Sequence, residues 1–448
     1  MADIIEPKIL KGFRDFLPAA EIIRRDLTQK IEGSFRSFGL LPIDTPALEY
    51  AQILLGKGGG ETEKQIYRFK DNGDRDVALR FDLTVPFARF AAMHQADLVF
   101  PFKRYHIGKV WRGENTQRGR YREFTQCDFD IIGSDSPAAD FEILLMIRSI
   151  FAALDVNVHI KFSHRGLFNR FLSHVGQQDN SAEILRAVDK IAKTGIDEAG
   201  RALGAIADEE DAKKILDFIA GASAETTFTE TLSRMEALSG GPSAESDRLH
   251  TIWRYIKDSI GSAADSEFSL DPSITRGLDY YTGVVFETFL TDLPDIGSIC
   301  SGGRYDNLAG LYTKNAISGV GASVGLDRMI AALEILKKLP ASASDSSAAI
   351  ACIREEDSGL YQALSAQFRQ AGISCEVFLE CRPLVKQFVL AEKKGYRWII
   401  IPGEKPSSDP FTLRDLNTRQ NHEGLQLKEA LKYMDSFTPR REDAKELL

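Results

Sequence analysis

Residues 276–328 constrain this chain more than any other stretch. They run Arg276-Gly277-Leu278-Asp279-Tyr280-Tyr281, then Ser301-Gly302-Gly303-Arg304-Tyr305-Asp306, then Gly321-Ala322-Ser323-Val324-Gly325-Leu326-Asp327-Arg328. Glycine lets backbone come close to a ligand, arginine carries permanent charge for phosphate, and tyrosine offers a flat wall with a polar edge. The mixture suits a pocket for something both aromatic and anionic, and suits an apolar core poorly. Taken singly, each segment has a bland reading. Ser301–Asp306 alone reads as a turn entering a helix, and Gly321–Arg328 as a glycine-rich strand running into a helix, with Arg328 a surface charge.

A second segment points the same way. Between Lys103 and Glu123 there are seven Lys/Arg against two acids, although the whole chain carries a formal charge of −9. That overall charge argues against a protein that coats nucleic acid indiscriminately. The local basic run is ordinarily a solvated face. Here its arginines alternate with Tyr105, Trp111, Tyr121 and Phe124 around Gly108, Gly113 and Gly119, which favours phosphate and base contact. A strand, a glycine-bearing loop and a returning strand over Val110–Phe124 would aim Arg112 and Arg120 or Arg122 at a polyphosphate. Salt bridges to Glu114 and Glu123 are the alternative.

At 448 residues, 43% of them hydrophobic, the chain has room for two or three domains and a substantial core. The N-terminal Met1-Ala2-Asp3-Ile4-Ile5-Glu6 lacks the layout of a secretion signal, and no run reaches membrane-spanning length, so a cytoplasmic protein is expected. Five scattered cysteines without a CxxC pair read as reduced thiols.

Helical spacing marks residues 21–38 and 138–154, and strand-like runs occupy Ile66–Phe69, Val77–Phe81, Lys103–Trp111, Arg122–Ile132 and Val156–Phe162. From about 167 to 262 an acidic, alanine-rich, helically spaced background replaces them, which reads as a helical insertion inside a domain whose halves flank it. Pro340–Ser347 is the best linker. Beyond it, strands at Ala348–Ile353, Cys375–Leu379 and Trp398–Ile401 alternate with helices at about 359–371 and 384–394, predicting a small α/β unit with a largely parallel sheet.

Asp82-Leu83-Thr84 follows an apolar strand. On a strand, Asp82 and Thr84 would share a side suited to an ammonium group; a helix cap is the equal alternative. Gln126 and Asp130 also share one strand face. Asp130 is either a partnered semi-buried acid or a ligand contact.

Together these elements resemble the histidyl-tRNA synthetases, a class II aminoacyl-tRNA synthetase family, over essentially the whole length. Phe38–Leu48 resembles class II motif 1, the dimer-forming strand; Arg112–Phe124 resembles motif 2, and Gly321–Arg328 motif 3. Arg276–Tyr281 and Ser301–Asp306 resemble the two peptides that set the histidine enzymes apart. The resemblance implies an α+β catalytic domain over 1–335, a mostly antiparallel sheet flanked by helices, carrying the helical insertion at about 167–262. A linker at 336–347 and an anticodon-binding α/β domain over 348–448 follow, the latter with a mostly parallel sheet. It also implies site residues. Asp82, Leu83, Thr84 and Gln126 would hold the amino and backbone end of histidine; Asp130 and Tyr280, with Tyr281 nearby, would read the imidazole. Arg112 and Arg276 would act catalytically at the α-phosphate and substrate carboxylate. Glu114, Arg120, Phe124 and Arg328 would complete the ATP site. ATP as substrate, Mg²⁺, a histidine tRNA and a homodimer built on motif 1 are the implied partners; the metal ligands are open. Many bacterial members carry Glu-Gly-Thr where this chain has Asp82-Leu83-Thr84, a change that keeps the charge and alters its reach.

Elementary chemistry agrees with that family. A substrate carboxylate attacking the α-phosphorus of ATP is its own nucleophile and needs no catalytic triad, so catalysis reduces to alignment and charge neutralisation. Two other readings compete. The regulatory subunit of ATP phosphoribosyltransferase resembles the catalytic domain, but such paralogues lack an anticodon-binding domain and parts of the ATP site. A synthetase-like sensor of uncharged tRNA would be fused to a kinase, for which no motif exists here.

Overall fold

The computed structural model describes residues 4–56, 61–189, 191, 195–219, 226–274, 281–306, 308–339, 348–406 and 409–435. Arg276 and Tyr280 lie outside the described residues, as does most of the expected linker. The strands are β1 (Leu41–Pro42), β2 (Leu48–Tyr50), β3 (Arg68–Lys70), β4 (Asp76–Leu79), β5 (Phe102–Trp111), β6 (Glu123–Ile132), β7 (Val158–His164), β8 (Phe268–Leu270), β9 (Val284–Leu290), β10 (Cys300–Tyr305), β11 (Gly319–Gly325), β12 (Ala348–Ile350), β13 (Cys375–Val377), β14 (Trp398–Ile401), β15 (Phe411–Asp415) and β16 (Asn421–Leu425). The chain divides into two compact units, one of residues 1–15 and 26–339, the other of 16–25 and 340–448.

The first unit is built on an eight-stranded sheet in the order β1-β5-β6-β11-β10-β9-β7-β8. Its inner pairs are antiparallel, while β1–β5 and β7–β8 run parallel, so the sheet is mixed. The short strands β2, β4 and β3 form a separate antiparallel sheet rather than extending the large one. Ser301–Asp306, which alone read as a turn entering a helix, is mostly the interior strand β10. Its glycines are strand residues because large neighbours fill the space their side chains would take.

The helix Pro137–Ala153, capped by the Ser136 hydroxyl accepting from Ala138 N–H, lies under the sheet. Asp140 on it is fully buried and accepts hydrogen bonds from Arg304 Nε of β10 (2.9 Å) and Arg248 Nε (2.7 Å). Replacing Asp140 with Ala removes the one fully buried, hydrogen-bonded carboxylate from the Arg304 guanidinium, leaving only the more distant Asp135 and Asp306, each 3.6 Å from its Nη1. Urea unfolding of Asp140→Ala is expected to lose about 3–5 kcal/mol; a loss below about 1 kcal/mol would refute that account.

Between β7 and β8 the described chain is helical, with helices at Arg165–His174, Ser181–Asp189, Ile196–Gly204, Glu209–Ile219, Phe228–Leu238, Ala244–Ile260 and Ala263–Glu267. Capping boxes at Thr227/Glu230 and Ser243/Ser246 start two of them. Their apolar faces meet through Phe171 stacked on Phe218 at 4.4 Å and Phe228 stacked on Trp253 at 4.5 Å.

In the second unit the three expected strands are present and parallel, but the sheet is mixed: β13-β12-β14-β15-β16, its last two pairings antiparallel. This corrects the largely parallel expectation. The β15–β16 hairpin escapes a pattern search because β16, Asn-His-Glu-Gly-Leu, buries only Leu425. Phe411, Leu413 and Asp415 of β15 alternate inward, and the Asp415 carboxylate closes the turn by accepting from Asn417 and Thr418 N–H.

Candidate active site

Strand register decides which side chains share the open face of the large sheet. Arg104, Asp130, Gly321 and Gly303 stand in one row across β5, β6, β11 and β10; His106, Asp128, Ser323 and Ser301 form the next. Because side chains alternate along a strand, Gln126 and Phe124 continue that face on β6. An interior sheet face made of acids, arginine, glycine and serine is a poor packing surface and a good ligand wall.

At one end of this wall Asp130 is wholly buried. Its Oδ1 accepts from the Tyr305 hydroxyl at 2.5 Å, and its Oδ2 sits 2.6 Å from Arg104 Nη2. Arg104 is fully buried too, its guanidinium 4.1 Å from the Phe87 ring centroid, with no aligned hydrogen-bond acceptor among the described residues. That contact is charge pairing rather than a directed hydrogen bond. Burial pushes Asp130 up while Arg104 and the phenol oppose it, and the same burial with the adjacent carboxylate raises Tyr305 well above an ordinary phenol. Tyr281 lies beside them: a Cβ on Gly303 would stand 2.8 Å from its ring. The glycines of this region serve the protein's own side chains. A Cβ on Gly321 would overlap the Asp130 carboxylate, one on Gly319 the Tyr305 ring, and one on Gly302 the Gly321 carbonyl.

Asp82 and Thr84 do not lie on a strand. β4 ends at Leu79, and a helix spans Thr84–Met93. The Asp82 carboxylate accepts from Val85 N–H at 3.1 Å, the helix-cap alternative, and Asp82 is 1% exposed. Leu83 is completely buried. The Thr84 hydroxyl donates to Asp128 Oδ2 at 3.5 Å, a long bond, and Gln126 Nε2 donates to Ser323 Oγ at 2.9 Å. Behind them His106 is buried and depressed to about 3 by burial and by Arg104 and Arg80. It is neutral, and its Nε2, 2.9 Å from Asp44 Oδ1, carries the proton.

At the other end, the 112–122 loop turns back at Gln117–Arg120, where Gly119 has φ +74°, against the start of the Leu326–Ile335 helix. Arg112 Nε donates to the Phe81 carbonyl at 2.8 Å, and its guanidinium carbon lies 5.2 Å from the Phe124 ring centroid and its Nη1 3.8 Å from Glu114. Arg328 donates to the Ser298 carbonyl and is not a surface charge. Burial lowers it to about 10, with Arg120 and Arg112 adding to that and Glu114 and Glu287 opposing. Three guanidiniums from the loop and the helix are thus close enough to repel one another. Much of the basic run is committed elsewhere, with Lys103 bridged to Glu142, Lys109 to Glu123 (2.8 Å) and Arg118 to Glu334 (3.1 Å). Arg112, Arg120 and Arg328 remain grouped at this end of the wall.

The sequence reading missed Arg104, Asp128, Ser323 and Tyr305. Arg104, Asp128 and Ser323 were accessible from the two-residue period of β5, β6 and β11, once the strands were in register. It also missed the N-terminal brace. Arg122 N–H donates to the Gly12 carbonyl at 2.9 Å, and Arg14 lies 3.2 Å over the Tyr121 ring and pairs with Asp327. Asp327 in turn accepts from Thr125 N–H at 2.8 Å, so this acid ties the N-terminal segment to the start of β6. No spacing in residues 12–14 signals that.

The family profile described as "Histidyl-tRNA synthetase" matches residues 12–329, and one described as "Anticodon binding domain" matches 347–436. A protein named histidine–tRNA ligase from Treponema denticola is 52% identical over 445 residues, 96% of this chain and 98% of its own. Another of that name from Rhodopirellula baltica is 44% identical over 406 residues, covering 89% of this chain and 91% of its own. The crystal structure of histidyl-tRNA synthetase from Nostoc sp. PCC 7120 superposes with a TM-score of 0.84 at 30% identity, over 97% of this chain and all of that one. With a buried acid–phenol wall on one sheet face and guanidiniums clustered from the adjoining loop and helix, this chain belongs to the histidyl-tRNA synthetase family.

Proposed function

We propose that this chain is a histidine–tRNA ligase. It activates L-histidine with ATP to histidyl-adenylate and pyrophosphate, then transfers histidine to the 3′ end of its tRNA as an ester. The observation that carries this reading is the crowding of Arg112, Arg120 and Arg328 beside a buried wall of carboxylates and a tyrosine. A cluster of mutually repelling guanidiniums is electrostatically incomplete until a polyanion arrives. The wall next to it holds acceptors for an amino acid's ammonium and ring N–H groups.

In this mechanism Asp82, the backbone at Leu83, Thr84 and Gln126 hold the amino end of histidine. Asp130, fixed by Arg104 and Tyr305, reads the imidazole together with Tyr280 and Tyr281; a carboxylate has lone pairs to spare for a further donor. The substrate carboxylate attacks the α-phosphorus, and Arg112 and Arg276 neutralise charge that grows on the α-phosphoryl oxygens. Arg120 and Arg328 hold the outer phosphates, Phe124 and Arg328 flank adenine, and Glu114 borders the nucleotide. Mg²⁺ would be held chiefly by the triphosphate's own oxygens and water, and would supply further positive charge beside these arginines. The catalytic domain is 1–335 with the 167–262 insertion, 336–347 links it to the rest, and 348–448 contacts the anticodon region of the tRNA. A homodimer forms through 38–48, where exposed Leu41 and Leu48 support an apolar interface. The protein works in the cytoplasm.

The purified protein is expected to catalyse ATP–pyrophosphate exchange only with L-histidine present, and to esterify a histidine tRNA. Amino acids that cannot satisfy the buried polar wall should be rejected by about 10⁴–10⁵. Histidine binding without exchange would instead mark a histidine-responsive binding protein.

A further inference from the structure

Three buried acceptors on β6 have no hydrogen-bond donor among the described residues: Gln126 Oε1, Asp128 Oδ1 and Asp130 Oδ2, the last of which faces the Arg104 guanidinium at 2.6 Å. The first two belong to residues two apart on one strand face, 9% and 2% exposed, and have no such cation against them. Leaving such groups unmade costs free energy, so their retention calls for a donor from outside the protein. The donor must serve two neighbouring acceptors at once, one of them anionic. An ammonium, with three N–H bonds and a full charge, does this; a neutral imidazole has one N–H in all, and an imidazolium points its two to opposite sides.

We infer that Asp128 is the counter-ion of the substrate's α-ammonium group, completed by Gln126 Oε1, and that histidine binding releases a proton from the Asp128 carboxyl to solvent. The inference rests on the proposed histidine-activating function and adds a residue to its amino-acid site.

The surroundings support both halves. Asp82 spends Oδ1 on Val85 N–H, and the Thr84 hydroxyl turns to Asp128, so Asp128 collects the polar contacts at this end. The groups acting on its charge come from every packed element. From the turn before the Thr84–Met93 helix it meets Asp82; from β5, Arg104 and the neutral His106; from β6, Asp130; from β11, the Ser323 hydroxyl; from β10, the Cys300 thiol; and Arg80 more distantly. Burial, then Asp130 and Asp82, outweigh Arg104 and Ser323, and the carboxyl rises to about 7. Without ligand, three acids share this wall with few cations, and one holds a proton near neutral pH. The substrate's ammonium supplies the missing positive charge, and the proton leaves. The balance is one carboxylic acid and one ammonium in, one carboxylate–ammonium pair and one solvent proton out.

Titration calorimetry of the full chain with L-histidine, and with 3-(imidazol-4-yl)propanoate, which lacks the amino group, tests this. Asp128→Asn is expected to weaken histidine by roughly 10- to 100-fold, the weight of a charged hydrogen bond, while leaving the propanoate within about twofold. For wild type the histidine dissociation constant should rise about fourfold from pH 8 to pH 6.5 after correction for free histidine's own titration, as expected for a site titrating near 7. In Asp128→Asn that rise vanishes, and heats in buffers of different ionisation enthalpy show the released proton only in wild type. Equal weakening of both ligands would make Asp128 merely structural and overturn the inference. So would a wild type that binds histidine with no proton release. A wild type that ignores histidine in both calorimetry and exchange would instead defeat the parent reading.

Discussion

Arg112→Ala is expected to lower histidine-dependent ATP–pyrophosphate exchange by about 10³-fold, the scale for removing a positioned cation from a phosphoryl-transfer transition state. The geometry explains why this residue should matter more than its charge alone. Its Nε is spent on the Phe81 carbonyl at 2.8 Å, which fixes the plane of the guanidinium. Both Nη atoms then point away from that anchor as a fork, with Glu114 3.8 Å from one. A fork held in advance loses little entropy when it meets two phosphoryl or carboxylate oxygens. Arg112→Lys should therefore recover less than about a tenth of the lost activity, because an ammonium has neither the Nε anchor nor the fork. The substitution removes a half-exposed side chain, so the thermal midpoint should move by no more than a few degrees. Exchange within threefold of wild type, with the fold intact, would remove Arg112 from the chemistry.

The sequence made some of this site legible and hid the rest for identifiable reasons. Motif-borne residues such as Arg112, Phe124 and Arg328 carry their chemistry in residue type and local spacing, and the loop and helix bring them together as that spacing suggests. Asp82 was ambiguous because an acid before Leu-Thr serves equally as a strand ligand or a helix cap, and only the end of β4 at Leu79 separates the two. Arg104 sat inside a basic run whose other members are exposed or half-buried, and its burial beneath Phe87 follows from pairing opposite Asp130, a long-range fact. Asp128 was overlooked although its spacing from Gln126 and Asp130 is even. The two-residue period had marked the face, and the reading stopped at its ends. In the second unit, strands with continuous apolar runs were found and the polar β16 was not, since a strand that buries one side chain has no pattern to detect.

The glycines supply the other large effect. Gly302→Ala should be close to unfoldable, with a cost of more than about 3 kcal/mol, beyond ordinary overpacking. The added methyl would overlap the Gly321 carbonyl and stand 2.7 Å from Ala322 Cα. Both are backbone atoms of the neighbouring strand, paired in register with Gly302 and Gly303, so neither can rotate away. Relief would require separating β10 from β11 at the middle of the eight-stranded sheet, with loss of ladder hydrogen bonds. Gly321→Ala is the informative contrast. There the first atom met is the Asp130 carboxylate, although the Phe129 carbonyl, 2.8 Å from the added carbon, also resists. Part of that clash can be relieved by moving Asp130 off Tyr305 and Arg104, which should leave a folded protein of reduced stability that has lost the acid–phenol wall. Urea unfolding should therefore rank wild type above Gly321→Ala, and Gly321→Ala above Gly302→Ala. Exchange by folded Gly321→Ala should show a histidine KM raised by an order of magnitude or more, as expected when a buried polar wall is disarranged. A Gly302→Ala protein of wild-type stability would mean that β10 and β11 are not packed as closely as their register requires.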